Sequence, residues 1–232
     1  MSRRNKLMKF AELATLPNVY ENFSVEEPQL LAAYKTPVDL RGKWASSHFH
    51  NDNPITLELA CGRGEYTVAL AERFPNRNFI GIDIKGARIW KGAKQAIERS
   101  LSNAAFLRSR IECIDKFFMA GEIDEIWITF PDPFPRDGQS NRRLTSHIFR
   151  RVYRHLLGEK GKIHLKTDNT GLFLFTLEQI VEDDSLELLE HTDDVDKDDL
   201  GMGELEIPTF YEKLHREKGA RIKYARFSIS HK

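Results

Sequence analysis

From Pro54 onward the chain alternates two kinds of segment, and that alternation restricts its possible folds more than any other feature of the sequence. Apolar runs at 54–60 (PITLELA), 78–83 (NFIGID), 123–130 (IDEIWITF) and 161–168 (GKIHLKTD) have the length and near-continuous hydrophobicity of strands covered on both faces. Between them, 65–74, 86–101, 142–157 and 169–182 carry apolar residues at helical spacing, and the first of these stops just before Pro75. Weaker signals give strands at 104–110, 186–191 and 221–229, a short helix at 113–118 and a helix at 208–219. Repeated strand–helix order predicts an α/β fold with a doubly wound, mostly parallel sheet. Residues 1–50 break the rhythm and read as a separate, partly helical N-terminal extension ahead of a domain at 51–232.

In such a sheet, ligands bind beyond the carboxyl ends of the strands, so the residues that end strands are the functional candidates. The first strand ends in ELACGRGEY, where Gly62 and Gly64 allow a tight turn and a helix follows; Glu58 lies just before the loop. A glycine pair at a strand end serves turns as readily as ligands. The second strand, however, ends in Asp83, at the distance where a carboxylate accepts hydrogen bonds from ribose hydroxyls. A dinucleotide fingerprint wants a third glycine where this chain has Thr67, and no G-x-x-x-x-G-K-[ST] loop occurs. These features favour an adenosine-containing ligand without a pyrophosphate, which points to S-adenosylmethionine.

Charge sharpens the expected partner. The net charge is zero, but 182–199 holds ten acidic residues and one lysine, leaving 34 basic against 25 acidic residues elsewhere. The acidic run reads as a solvated or partly disordered loop. Basic clusters at 3–6, 136–143, 150–155 and 212–226, interleaved with aromatics, read as a phosphate-binding surface. No run approaches the roughly 20 apolar residues of a bilayer span, and the start lacks a secretory signal, so the expectation is a cytoplasmic protein without a membrane partner. Cys61 and Cys113 read as reduced thiols, and His48 and His50 lack a third ligand, so no metal is expected.

Four stretches carry a resemblance. LELACGRGEYTVALAERFPNRNFIGIDI, TFPDPFPRDGQSNRRL, HLKTD and PTFYEKLHREKG, in this order over about 55–229, are similar to the tRNA (guanine-N7-)-methyltransferase family of class I S-adenosylmethionine-dependent enzymes. The proline-flanked aspartate followed by arginines is the most specific of them. The resemblance implies a seven-stranded Rossmann-like methyltransferase sheet, S-adenosylmethionine as cofactor, and methyl transfer to a variable-loop guanosine of tRNA. By the same likeness Glu58 and Asp83 are cofactor-contacting carboxylates, with Gly62 and Gly64 in the cofactor loop. Asp132 is both cofactor-binding and catalytic, and Arg136, Asp168, Thr209, Phe210, Tyr211 and Glu212 are substrate positions. The chain departs from the family at Ala60, where a negative φ would let alanine replace the first loop glycine. It departs also at Arg110 or Ser109, which stand at the adenine-contacting position, and at Phe134 in place of tryptophan.

The three prolines at 131, 133 and 135 fix backbone angles around Asp132. Guanine N7 carries no proton, so attack on a methyl group needs no general base. A fixed carboxylate beside the transfer steadies the positive charge as it moves from sulfonium to purine. Arg136, Arg142 and Arg143 are placed to grip RNA phosphates, and Asp168 and Glu212 to accept the guanine N1–H or exocyclic amine. Two further readings stay open on sequence alone: a methyltransferase acting on another RNA or a small molecule, and a non-catalytic RNA-binding protein on the same fold. A monomer and a homodimer are both compatible with it.

Overall fold

A computed structural model describes residues 3–230, with side chains from residue 7 onward. The side chains of the basic cluster at 3–6 lie outside the described residues. In chain order the regular elements are α1 (Arg3–Leu13), β1 (Val19–Glu21), β2 (Leu31–Ala32), β3 (Thr36–Pro37), β4 (Ile55–Leu59), α2 (Glu65–Arg73), β5 (Asn78–Asp83), α3 (Gly86–Glu98), β6 (Ala104–Arg108) and β7 (Ile123–Thr129). They continue with α4 (His147–Leu156), β8 (Leu157–Thr167), α5 (Thr170–Glu182), β9 (Leu186–Thr192), α6 (Phe210–Arg216) and β10 (Lys223–Ile229).

All ten strands form one sheet in the order β3-β2-β1-β6-β5-β4-β7-β8-β10-β9. The seven strands from β4 onward form the expected α/β sheet, and the remaining three come from the N-terminal segment. Strands β1, β6, β5, β4, β7 and β8 run parallel, while β10 is antiparallel to both β8 and β9. Alternation along β4 explains the two-faced burial. Ile55, Leu57 and Leu59 join a core completed by Phe149, Tyr153, Leu172 and Ile180 of α4 and α5. The opposite face packs Phe79, Phe106 and Trp127 against Tyr66, Leu70, Ile89 and Ala93 of α2 and α3.

The segment before residue 51 belongs to this sheet. β1 pairs in parallel with β6, Val19 opposite Phe106, and α1 packs on α3, with Glu12 accepting from Trp90 Nε1 (2.8 Å) and Lys94 Nζ (3.1 Å). A π-helical turn at Trp44–Phe49 buries Trp44, whose Nε1 donates to the Phe117 carbonyl.

Two expectations need correction. The helix expected over 142–157 starts at His147, because Arg143 to Ser146 are drawn into a turn. The acidic run at 182–199 is ordered: it comprises the end of α5, strand β9 and a turn in which Asp194 is buried. Its carboxylates meet the basic 212–226 segment, Asp196 with Arg216 and Glu190 with Arg226 (3.0 Å). Opposite charges brought together by the antiparallel pairing of β9 with β10 and by α6 between them explain why composition alone suggested a free loop. Among the described residues no helix is long and apolar enough to cross a membrane, and no group of His, Cys, Asp and Glu could hold a metal ion.

Candidate active site

The sheet order reverses between β4 and β7: the chain passes from β4 outward to β5 and β6, then returns to place β7 on the other side. A crevice opens at such a reversal, beyond the strands' carboxyl ends. Here it is a cavity of about 820 Å³, lined by the tips of β4, β5, β6, β7 and β8 and by the start of α6. That size falls at the upper end of pockets that bury a cofactor-sized ligand.

The floor is built by two carboxylates. Glu58, 3% exposed on β4, accepts from the Thr67 backbone N–H (2.9 Å) and hydroxyl with Oε2, and from the Thr129 hydroxyl (2.8 Å) with Oε1. Thr67, standing where a dinucleotide motif has glycine, thus ties α2 to the strand. Burial is the largest influence on this carboxyl and pushes its pKa up to about 7, assisted by the Asp83 charge and opposed by the threonine donors. Asp83 accepts from the Gly62 N–H (3.0 Å) with Oδ2 and the Lys85 N–H (2.7 Å) with Oδ1, which leaves lone pairs on both oxygens for a ligand.

Folding raises the Glu58 pKa from the ordinary 4.5 to about 7, so the folded protein holds a proton that the unfolded chain releases. The stability linked to this group is complete below pH 4.5, is lost as pH rises through 7, and stays lost above it. Thermal melts of wild type and Glu58→Gln across about pH 4 to 8.5 are therefore expected to converge at high pH in slope, with the wild type losing more stability on the way up. Parallel curves throughout would rule this out.

The loop after β4 carries strain. Ala60 takes φ 56°, the left-handed conformation normally left to glycine, so the negative φ expected for it does not occur. Gly62 (φ 57°) has no side chain or backbone within ordinary contact of an added Cβ except the Ala60 oxygen, and it lines the cavity. Gly64 (φ 67°) is needed for packing: a Cβ there would lie 2.4 Å from the Phe106 ring. Left-handed alanine costs about 1–2 kcal/mol, and glycine loses about 0.5–1 kcal/mol more chain entropy on folding. Ala60→Gly is expected to raise Tm by about 2 °C; a lower Tm would mean the Ala60 methyl packs usefully against the core.

On β7 the proline loop forms the second wall. Phe130 and Phe134, each followed by proline, have φ of 47° and 42°, so two aromatic residues are held in strained backbone at the cavity mouth. Between them Asp132 is exposed and, among the described residues, makes no hydrogen bond or ion pair. Arg143 fixes the loop from behind: it is buried, and its Nε and Nη2 donate to the Phe134 carbonyl at 3.2 and 3.0 Å. It is therefore not free to grip a phosphate. Arg142 is exposed, with its guanidinium 4.4 Å over the Phe134 ring, and Arg136 is exposed beyond it, outside the cavity lining.

The third wall comes from β8 and α6. Asn169, not Asp168, caps α5 by accepting from the Leu172 N–H (2.8 Å), so the Asp168 carboxylate is left to the cavity. There it meets His215, whose Nδ1 lies 2.9 Å from Oδ2. Thr209 and Glu212 form a capping box that starts α6 and turns Phe210 and Tyr211 toward the opening. The Arg63 guanidinium sits 4.4 Å over the Phe210 ring and closes the gap between the glycine loop and α6.

Glu212 is placed differently from the other substrate candidates. It is fully buried and lines no part of the cavity. Lys166 Nζ (2.7 Å), the Thr209 N–H (3.3 Å), and Arg216 Nε (3.0 Å) and Nη2 (2.7 Å) saturate its oxygens. Lys166, fully buried on β8, also donates to the carbonyls of Leu205 (2.9 Å) and Ile207 (3.2 Å). Burial lowers its pKa, and the Glu212 charge opposes that shift.

At the end of β6, Ser109 is buried and accepts from Asn22 Nδ2 (3.3 Å), while Arg110 is exposed, lines the cavity and pairs with Glu112 (3.1 Å). Ile84 and Ile111 line the cavity beside them, and Ile84 is exposed to it despite being aliphatic. Sequence reasoning missed Ile84, Arg63 and His215. Ile84 directly follows Asp83, and an aliphatic residue just past the strand-end carboxylate was the available signal. His215 lies one turn beyond Glu212 on the same helix. Arg63 carried no signal of its own.

The chain was compared with known proteins. A family model described as "Putative methyltransferase" matches residues 52–225. The tRNA (guanine-N(7)-)-methyltransferase of Bacteroides fragilis is 45% identical over 226 residues, covering 97% of this chain and 86% of that protein. The Porphyromonas gingivalis protein of the same name is 47% identical over 223 residues, covering 94% and 86%. Among solved structures, the 16S rRNA methyltransferase KamB superposes with a TM-score of 0.62 at 13% identity, covering 90% of this chain and 99% of that one, a likeness of fold.

Proposed function

The chain belongs to the tRNA (guanine-N(7)-)-methyltransferase family, and from that premise we propose that it methylates N7 of a guanosine in the variable loop of tRNA. Its cofactor is S-adenosylmethionine, which supplies an electrophilic methyl group on a sulfonium. The residues present fit that group. Asp83 keeps acceptor capacity for ribose hydroxyls, Gly62 offers close backbone approach, and Ile84 and Ile111 offer apolar surface to an adenine ring. Arg110 adds no unpaired charge there, since Glu112 neutralises it. Glu58 is positioned beneath the loop as a buried carboxyl near neutrality, which a bound cation would drive to its ionised form.

The observation that carries the reading is Asp132: an unpartnered carboxylate at the topological reversal, between two strained aromatic residues and lining the same cavity as Asp168. An exposed carboxylate that folding leaves unpaired while fixing its backbone has its electrostatics ready for a passing charge. Asp132 steadies the cation that forms on the purine, and Phe130, Phe210 and Tyr211 supply aromatic surface for an unstacked base. Asp168 accepts from the guanine edge. Arg136 and Arg142 meet phosphates on the rim, a role Arg143 cannot share. Incubation of purified protein with S-adenosylmethionine and unmodified tRNA, followed by nucleoside mass analysis, should yield 7-methylguanosine. Methylation confined to another nucleoside, or to none, would overturn the assignment.

A further inference from the structure

Resting on that reading, we propose that Arg63 binds the carboxylate at the methionine end of the cofactor. Besides its sulfonium, S-adenosylmethionine carries an ammonium and a carboxylate on that end. The cavity that receives it is lined by the carboxyl groups of Glu58, Asp83, Asp132 and Asp168. Among so many acidic groups an entering anion is repelled unless a cation stands beside it.

The order of the strand tips selects that cation. With ribose at Asp83 on β5 and adenine against Ile84 and Ile111 on the β6 side, the other end of the cofactor lies over the next tip, that of β4, on the way to Asp132 on β7. Arg63 stands in the loop that leaves β4, between Gly62 and Gly64, and lines the cavity. The other lysines and arginines of the lining are placed elsewhere. Lys85 and Arg88 follow β5, Arg110 pairs with Glu112 (3.1 Å), and Arg142 lies over the Phe134 ring (4.4 Å).

Arg63 is exposed and, among the described residues, makes no hydrogen bond or ion pair. Its guanidinium is nonetheless held in place, 4.4 Å over the ring of Phe210. Phe210 is the first residue of α6, which the Thr209–Glu212 capping box anchors. The ring contact leaves the N–H fork without an oxygen partner, and that planar fork matches a carboxylate. Asp83 and Arg63 thus hold the two ends of the cofactor from neighbouring strand tips, leaving the sulfonium between them free to face the proline loop.

Decarboxylated S-adenosylmethionine tests this, since it keeps the adenosine, the sulfonium and the amine and lacks only the carboxylate. Both compounds are titrated calorimetrically into wild type and Arg63→Gln. Wild type is expected to bind S-adenosylmethionine about tenfold more tightly than the decarboxylated compound. Arg63→Gln is expected to bind the two alike, at the wild-type affinity for the decarboxylated one, which also serves as a control for folding. An Arg63→Gln that weakens both equally, or that keeps the wild-type preference, overturns the proposal, as does a wild type indifferent to the carboxylate. A wild type that binds neither compound would instead overturn the cofactor assignment, and the proposal with it.

Discussion

Asp132→Asn is expected to keep the fold while lowering kcat about a hundredfold or more. The side chain is exposed and unpartnered, so neutralising it removes no interaction the folded state depends on. The loop that carries it is fixed by three prolines and by the two Arg143 hydrogen bonds to Phe134, none of which involve the carboxylate. What asparagine lacks is the negative charge facing a forming cation, and a preorganised electrostatic group of this kind is worth about 3 kcal/mol in the barrier. Because N7 attack requires no proton removal, the loss should appear in kcat without a displaced pH profile. Thermal melts and single-turnover methylation read the two halves of this expectation. Wild-type turnover in the variant would take Asp132 out of the chemistry.

Glu212→Ala should act in the opposite way, on stability rather than on substrate. Truncation leaves Lys166 wholly buried without its counter-charge, with only two carbonyls as partners, and leaves Arg216 with Asp196 alone. Breaking a buried pair costs about 3–5 kcal/mol, a third or more of the stability of an ordinary domain. A fall in Tm of about 10 °C follows for a chain of this size. Glu212→Gln should lose less, since the capping contact with the Thr209 N–H survives. If Glu212 instead touched guanosine, both variants would melt like wild type and show a raised KM.

The contrast between these two carboxylates marks how far the sequence could be read. Strand and helix order, the reversal of the sheet and the strand-tip positions of Asp83, Asp132 and Asp168 follow from local pattern, because a strand's end and its apolar run are written in contiguous residues. Pairing between distant side chains is not written locally. Nothing about Glu212 in its own stretch announces Lys166, 46 positions earlier, and nothing about Arg143 distinguishes a loop clamp from the exposed Arg142 beside it. The same applies to the acidic run: its partners Arg216 and Arg226 lie beyond an intervening helix or strand, so composition described it as solvent-seeking. Ala60 is a different kind of miss. A single residue's backbone angle is set by the turn around it, and the turn here imposes φ 56° on a residue whose identity argues against it.

Strand β1 has as its parallel neighbour one that follows 87 residues later, at Glu21 and Arg108. Neither partner can lock the other until most of the parallel sheet exists, since closing so long a loop early gains few contacts. The segment carrying β1 is therefore synthesised well before its partner and seated late, and it should also be the first to peel away on gentle heating. Because Asn22 touches Ser109 in the cavity lining, cofactor affinity would register that detachment before the rest of the molecule melts.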